Sequence, residues 1–280
     1  MEAARVRGHS VHALASNLLE MQALEMEVSR AAPDVVIHLA AISFVGHTDQ
    51  RAFYEVNVIG TMNLLDALER LPRRPSSVLL SSTANVYGNC LASPIVEEQI
   101  AAPANHYAAS KLTMEQMSRA RLNTLPLFWT RPFNYTGTGQ APDFLIPKLV
   151  KHAAQKSAEV ELGNLEVERE FNDVRFVCEA YLELLQHAEP GKTYNVCTGR
   201  TYSLRNVLEQ LAHLTRHTLV PKIRSDLVRP NEIKMLCGDP SLLHRTVGRL
   251  KDYTLQDTLS WMLAAEINNS TFRAAAQSIR

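Results

Sequence analysis

The chain has 280 residues, 46% of them hydrophobic, with 29 basic side chains against 29 acidic ones. That length buries roughly three quarters of the unfolded surface, enough for one large domain or two interlocked ones. Balanced charge gives no electrostatic case for nucleic acid, and apolar runs such as VVIHLAA at 35–41 are far too short to span a bilayer.

In chain order, EAARVRGHSVHAL at 2–14 reads as the tail of a helix, a stop at Gly8 and a strand over 11–14. Further strands are expected at 35–39, 78–80 and 125–129. Between them, 49–71 carries Phe53, Val56, Ile59, Leu64, Leu65 and Leu68 at near-helical spacing. This alternation predicts an α/β fold with a doubly wound parallel sheet. After RPFNYTGTGQ at 131–140 the pattern loosens into loops, a helix over 144–158 and a short strand at 160–162. Sheet-like sequence returns at 194–197. The interleaving predicts a sheet domain from 1–132 plus about 171–198, a smaller lobe from 133–170 plus 199–267, and a tail at 268–280. A ligand is expected between the two.

No G-x-G-x-x-G loop follows a first strand, although backbone amides on such a loop are what meet a dinucleotide pyrophosphate. A late-assigned start or a fragment is the expectation. The N-terminus also lacks the apolar core of a secretory signal, which predicts a cytoplasmic protein. Cys90, Cys178, Cys197 and Cys237 form no CxxC pair and are expected as free thiols. The ten histidines show no HxxxH or HExxH spacing, so no metal site is expected.

The chemistry concentrates in two segments. HYAASK at 106–111 places Tyr107 and Lys111 one turn apart on one helix face. An ammonium there makes a phenolate less costly and draws the tyrosine pKa toward neutrality. The second segment, SSVLLSSTANVYG at 76–88, is an apolar strand that ends in hydroxyl residues and turns at a glycine. The carboxyl ends of parallel strands are where ligands sit, so Thr83 is expected to face a crevice. YxxxK alone is weak; the hydroxyl-ended strand about one helix length upstream makes it specific.

With HLAA at 38–41, NVIGTMNLL at 57–65, SSTANVYG at 81–88, YAASK at 107–111 and RPFN at 131–134, the chain resembles the extended short-chain dehydrogenase/reductase family of sugar-nucleotide epimerases, dehydratases and reductases. The resemblance runs from about residue 8 to residue 262. It implies that Thr83, Tyr107 and Lys111 are catalytic. It also implies a cofactor, NADP(H) or NAD(H), touching Leu39, Ala40, Ala41, Asn57, Ser81, Tyr107, Lys111 and Arg131. Ala15, Ser16 and Asn17 offer no carboxylate for a ribose 2′-hydroxyl, which mildly favours NADP(H).

LGNLEVEREFND at 162–173 and VRPNE at 228–232 resemble the GDP-sugar members. They imply a GDP-sugar substrate contacting Thr83, Asn85, Asn134, Lys148, Asn164, Leu165, Arg169, Arg229 and Glu232. A dehydratase of this kind carries an acid one or two positions after the threonine, and here Ala84 and Asn85 stand there. Reduction at C4 of a GDP-4-keto-6-deoxy-hexose is therefore the expected activity, ahead of GDP-mannose dehydration or epimerisation. A non-catalytic sugar-nucleotide binder is the expectation of a different class. The family resemblance also implies a homodimer through the helices around 57–71 and 107–111.

Overall fold

The computed structural model describes residues 4–5, 7–227 and 235–277. Four strands, Val35–His38, Ser77–Ser81, Leu127–Pro132 and Thr193–Val196, pair side by side in that order, all parallel. Parallel neighbours need long crossovers, and helices on both faces supply them. Side chains alternate between the faces with the pleat. Val78, Leu80, Leu127 and Trp129 pack beneath Leu24 and Val28 of helix Met21–Ala31 and Leu65 and Leu68 of helix Thr61–Glu69. Leu79 and Phe128 point the other way, to Tyr181 and Leu184 of helix Val174–His187 and Leu243 of helix Ser241–Val247. The doubly wound α/β sheet expected from the sequence is present.

A second apolar core, with Leu149, Val150, Val160, Leu162, Val207, Leu211 and Leu259, is built from the later part of the chain. It lies among helices Leu145–Ala154, Leu204–Thr215 and Leu255–Gln277 and a parallel strand pair, Glu159–Leu162 with Val220–Ile223. Beside it, Glu168–Arg169 pairs with Met235–Leu236 on one edge and with Tyr202–Ser203 on the other. No helix among the described residues is long and apolar enough to cross a membrane.

Two stretches depart from the sequence reading. Residues 11–14 form no strand. A strand exists only through its ladder, and among the described residues none pairs with this segment. The strand Val35–His38 correspondingly has one partner, and Val35 and Ile37 are exposed. The stop at Gly8 is present: Ala4 and Arg5 are helical, the Gly8 amide donates to the Arg5 carbonyl at 2.9 Å, and Gly8 adopts φ +83°. The helix expected over 49–71 is interrupted. Gln50–Tyr54 and Thr61–Glu69 are α-helical, and Glu55–Gly60 widens into a π-type turn, a distortion common at functional sites. Helix Met21–Ala31 gave no clear signal, because it buries only Leu24 and Val28 and has no side-chain cap.

Helix His106–Ser118 buries polar side chains where an amphipathic helix would bury apolar ones: Tyr107, Ser110, Lys111, Glu115 and Ser118 face inward. Each is answered. Arg131, from strand Leu127–Pro132, donates to both oxygens of Glu115, Nε at 3.0 Å and Nη2 at 2.6 Å. The Trp129 indole N–H donates to Ser118 Oγ at 2.9 Å. At the helix start, Asn105 accepts from the Ala108 amide at 2.8 Å, a side-chain cap. Glu115→Ala leaves the Arg131 guanidinium buried without its carboxylate. The expected cost is about 3–5 kcal/mol of unfolding free energy, read as a lowered urea midpoint with unchanged slope.

Candidate active site

The end of strand Ser77–Ser81 delivers Thr83 to the carboxyl edge of the sheet, where it caps the short turn Ala84–Tyr87. Gly88 closes this turn at φ +61°, and an added Cβ would lie 1.7 Å from the Ala102 carbonyl oxygen, so only glycine fits. Thr83 Oγ1 accepts twice from Asn85, from the amide at 3.2 Å and the side-chain Nδ2 at 3.1 Å. It also lies beside the Tyr107 phenol, whose pKa it pulls down. Thr83, Tyr107 and Lys111 are all buried, at 5%, 8% and 3% exposure, so a charge on any of them is poorly screened.

Burial pushes Tyr107 up to about 12, with the Thr83 hydrogen bond pulling the other way. Lys111 moves down to about 8, again through burial, opposed by the Glu115 carboxylate one turn on. The sequence reading had the lysine drawing the phenol toward neutrality. In this chain desolvation dominates, and Tyr107 is a protonated donor across the neutral range. Lys111 finds no hydrogen-bond acceptor among the described residues. A buried ammonium with spare donors is what the hydroxyls of a ribose would satisfy, so the residues present fit the nicotinamide half of the expected cofactor.

The other expected cofactor contacts divide. Leu39 and Ala40 are exposed at the carboxyl end of strand Val35–His38, and Ala41 is half-buried beside them. Ser81 is buried and its hydroxyl meets the Tyr181 hydroxyl at 3.1 Å. Asn57, inside the π-type turn, is occupied within the protein. It accepts from the Ile42 amide at 2.9 Å and donates to the Ile42 carbonyl at 3.1 Å and to Ser110 Oγ at 3.0 Å. It clamps the loop after the first strand to the helix that bears Tyr107 and Lys111. Arg131 is likewise committed, to Glu115 and to the Glu97 carbonyl at 3.3 Å. Both side chains are thus engaged within the protein.

Of the expected substrate contacts, Asn134 is exposed, and its carbonyl accepts from the Asn172 amide at 2.9 Å. The Lys148 ammonium donates to the Glu161 carbonyl at 2.9 Å, and Asn164 accepts from the Glu166 amide at 3.0 Å. Leu165 packs against the second core. Arg169 lies on the middle strand of the three-stranded sheet. Arg229 and Glu232 fall outside the described residues. His38 is a satisfied core histidine: its Nε2 meets Thr61 Oγ1 at 2.9 Å, and burial lowers its pKa to about 3.

Sequence reasoning missed Glu115, the residue that anchors the helix bearing Tyr107 and Lys111. The signal was available: 107, 111 and 115 continue one four-residue row, and a carboxylate in that row facing an arginine strand needs a reason. All four cysteines are free, and no group of metal-ligating side chains occurs among the described residues.

A family model described as GDP-mannose 4,6 dehydratase matches residues 3–262. The GDP-6-deoxy-D-talose 4-dehydrogenase of Aggregatibacter actinomycetemcomitans is 35% identical over 221 residues, 79% of this chain and 75% of that protein. The GDP-6-deoxy-D-mannose reductase of Pseudomonas aeruginosa is 34% identical over 251 residues, 83% of this chain and 80% of its own length. Among solved structures, RMD from Pseudomonas aeruginosa complexed with NADPH superposes with a TM-score of 0.87 at 32% identity, covering 96% of this chain and 94% of that one.

Lys111 gives a test that separates chemistry from stability. Its pKa is depressed on folding, so between about 8 and the ordinary 10.5 the unfolded chain holds more protons, and stability rises with pH across that window. Below it the folded protein bears the full cost of the buried ammonium. Lys111→Met should therefore raise the melting temperature at pH 7 by a few degrees, with the gain shrinking as pH climbs above about 8. A melting temperature that falls at pH 7 would contradict this assignment.

Proposed function

Because the chain belongs to the GDP-mannose 4,6-dehydratase family, within the extended short-chain dehydrogenases/reductases, we propose that it is a nicotinamide-dependent reductase of GDP-sugars. Its substrate is a GDP-4-keto-6-deoxy-hexose reduced at C4, and with the mannose-configured ketone the product is GDP-D-rhamnose. The observation that carries this reading is the buried trio Thr83, Tyr107 and Lys111 with Ala84 and Asn85 beside it, where dehydration would need an acid. The P. aeruginosa reductase and the A. actinomycetemcomitans 4-dehydrogenase support it by name. Both names concern GDP-6-deoxy-hexoses, so the sugar configuration and the direction are what an assay has to read.

Bound against Lys111, the nicotinamide supplies the hydride. Tyr107 donates its phenolic proton to the C4 oxygen as negative charge develops there, and the Thr83 hydroxyl donates a hydrogen bond to the same oxygen. Lys111 holds the cofactor ribose and offsets the tyrosinate left behind. Leu39 to Ala41 and Ser81 line the cofactor side. Asn85, Asn134, Lys148, Asn164, Leu165 and Arg169, with Arg229 and Glu232, serve the GDP-sugar. NADP(H) is the preferred cofactor, with support from the NADPH-bound P. aeruginosa structure. A homodimer through the π-type turn Glu55–Gly60, helix Thr61–Glu69 and helix His106–Ser118 agrees with the exposed Ile59 and Met117 at 53% and 54%.

The test is NADPH consumption with enzymatically prepared GDP-4-keto-6-deoxy-D-mannose, with the sugar product identified by NMR. Reduction at C4 supports the proposal. Formation of a 4-keto sugar from GDP-mannose without net use of NADPH would replace it with the dehydratase reading. Tyr107→Phe should remove turnover by a factor of about 100 or more while GDP-mannose affinity by calorimetry stays within a few-fold. Turnover near the wild-type rate in that variant would rule out Tyr107 as the proton donor.

A further inference from the structure

A cavity of about 550 Å³ opens where the loop after strand Thr193–Val196 meets the loop leading into helix Leu255–Gln277. Its apolar floor is Phe176 and Leu250, both buried. None of the catalytic or proposed ligand-contacting residues lines it. We propose that this cavity is a second anion site, which takes the phosphate group of a phosphorylated small molecule.

The case rests on how its charges are paired. Arg200 and Asp252 form one wall and neutralise each other: both guanidinium Nη atoms bond the carboxylate, and Nη2 also donates to the Tyr253 carbonyl at 3.0 Å. With Asp252 so used, the lining holds no further carboxylate. Two cations remain. Arg249 is exposed and has no hydrogen-bond or ion-pair partner among the described residues. Lys251 sits 5.0 Å from the Tyr253 ring centroid and makes no ion pair with a carboxylate of the lining; Asp257, outside the lining, feels its charge. His244 adds a third nitrogen donor at the wall; its Nδ1 faces the Gly248 carbonyl at 3.4 Å, so Nε2 is the atom available.

The Arg249 and Lys251 cations around one recess repel one another, and a bound phosphate removes that cost while accepting from the His244 ring. The arrangement suits a guanidinium fork on two phosphate oxygens and an ammonium on the third. Gly248, at φ +76° with nothing within 4 Å of an added Cβ, keeps the rim clear. An occupant would bind the loop 248–252 to helix Ser241–Val247. Helix Val174–His187 supplies the floor through Phe176, and its capping Asp173 accepts from Thr258 of helix Leu255–Gln277 at 2.7 Å. Occupancy is thus felt where sheet and second lobe join.

The experiment is thermal denaturation and phosphorus NMR of the whole chain titrated with inorganic phosphate and with pyrophosphate, in wild type and in R249E/K251E. Both substituted residues are exposed and lie outside the catalytic crevice, so the fold should be kept; R249Q/K251Q repeats the measurement with charge removed rather than reversed. Saturable stabilisation in wild type that weakens at least ten-fold in both variants supports the site. Titrations with equal midpoints in all three proteins would place the phosphate elsewhere, the reaction crevice included, and overturn the proposal, as would absence of saturation in wild type. Binding of GDP-mannose, measured alongside, tests the GDP-sugar reading separately and should be the same in all three.

Discussion

The buried ion pair between Arg131 and Glu115 is the constraint on which the site depends. It joins the sheet strand that ends in RPFN to the helix that carries Tyr107 and Lys111, and both partners are almost fully shielded from water. A hydrophobic pair could hold that helix with equal free energy, but it would not fix rotation and translation as a two-pronged guanidinium does. Helix His106–Ser118 has a polar inner face and little apolar surface to grip with. Its orientation is set by directional bonds: Asn57 to Ser110, Arg131 to Glu115 and Trp129 to Ser118. Under the proposed function this directionality matters, because proton transfer tolerates little displacement.

A second polar knot performs the same task between the lobes. Glu170, buried, accepts from the amides of Gly238 at 2.7 Å and Thr198 at 2.8 Å, and from Asn172 Nδ2 at 3.0 Å. One carboxylate thereby gathers the strand leading to the second lobe, the loop leaving the central sheet and the chain returning past residue 235. Its pKa is raised by burial and held back by those donors. Arg169 is its neighbour in sequence, so the knot also sets the backbone from which a proposed diphosphate contact projects.

Much of this was legible beforehand, and the exceptions share a cause. Strands and helices with apolar faces were found nearly in place: 78–80 became Ser77–Ser81, 160–162 became Glu159–Leu162, and 144–158 became Leu145–Ala154. Thr83, Tyr107 and Lys111 are all buried, with Thr83 at the end of its strand. The segment 11–14 failed because alternation predicts the capacity to join a sheet, and a strand requires a partner edge that no local pattern contains. Asn57 and Arg131 were placed at the cofactor on resemblance. Sequence could not show that their hydrogen bonds are already used inside the protein, since their partners lie 15 to 53 residues away. Glu115 was missed for the complementary reason: a buried carboxylate is explained only by the arginine that folding brings to it.

The cost of the site is concentrated in Lys111. Desolvation of its ammonium opposes folding at neutral pH, and Glu115, which offsets part of that cost, directs both its oxygens to Arg131. The lysine is therefore left with donor capacity that the protein does not use, facing the side on which Tyr107 and Thr83 also present their hydrogens. An apolar residue at 111 would remove that cost and, under the proposed function, the cofactor contact with it. Under the proposed function, an ammonium with spare donors beside a protonated phenol suits a hydroxyl-rich ligand, whose oxygens would accept from Lys111 and offset its desolvation cost on binding.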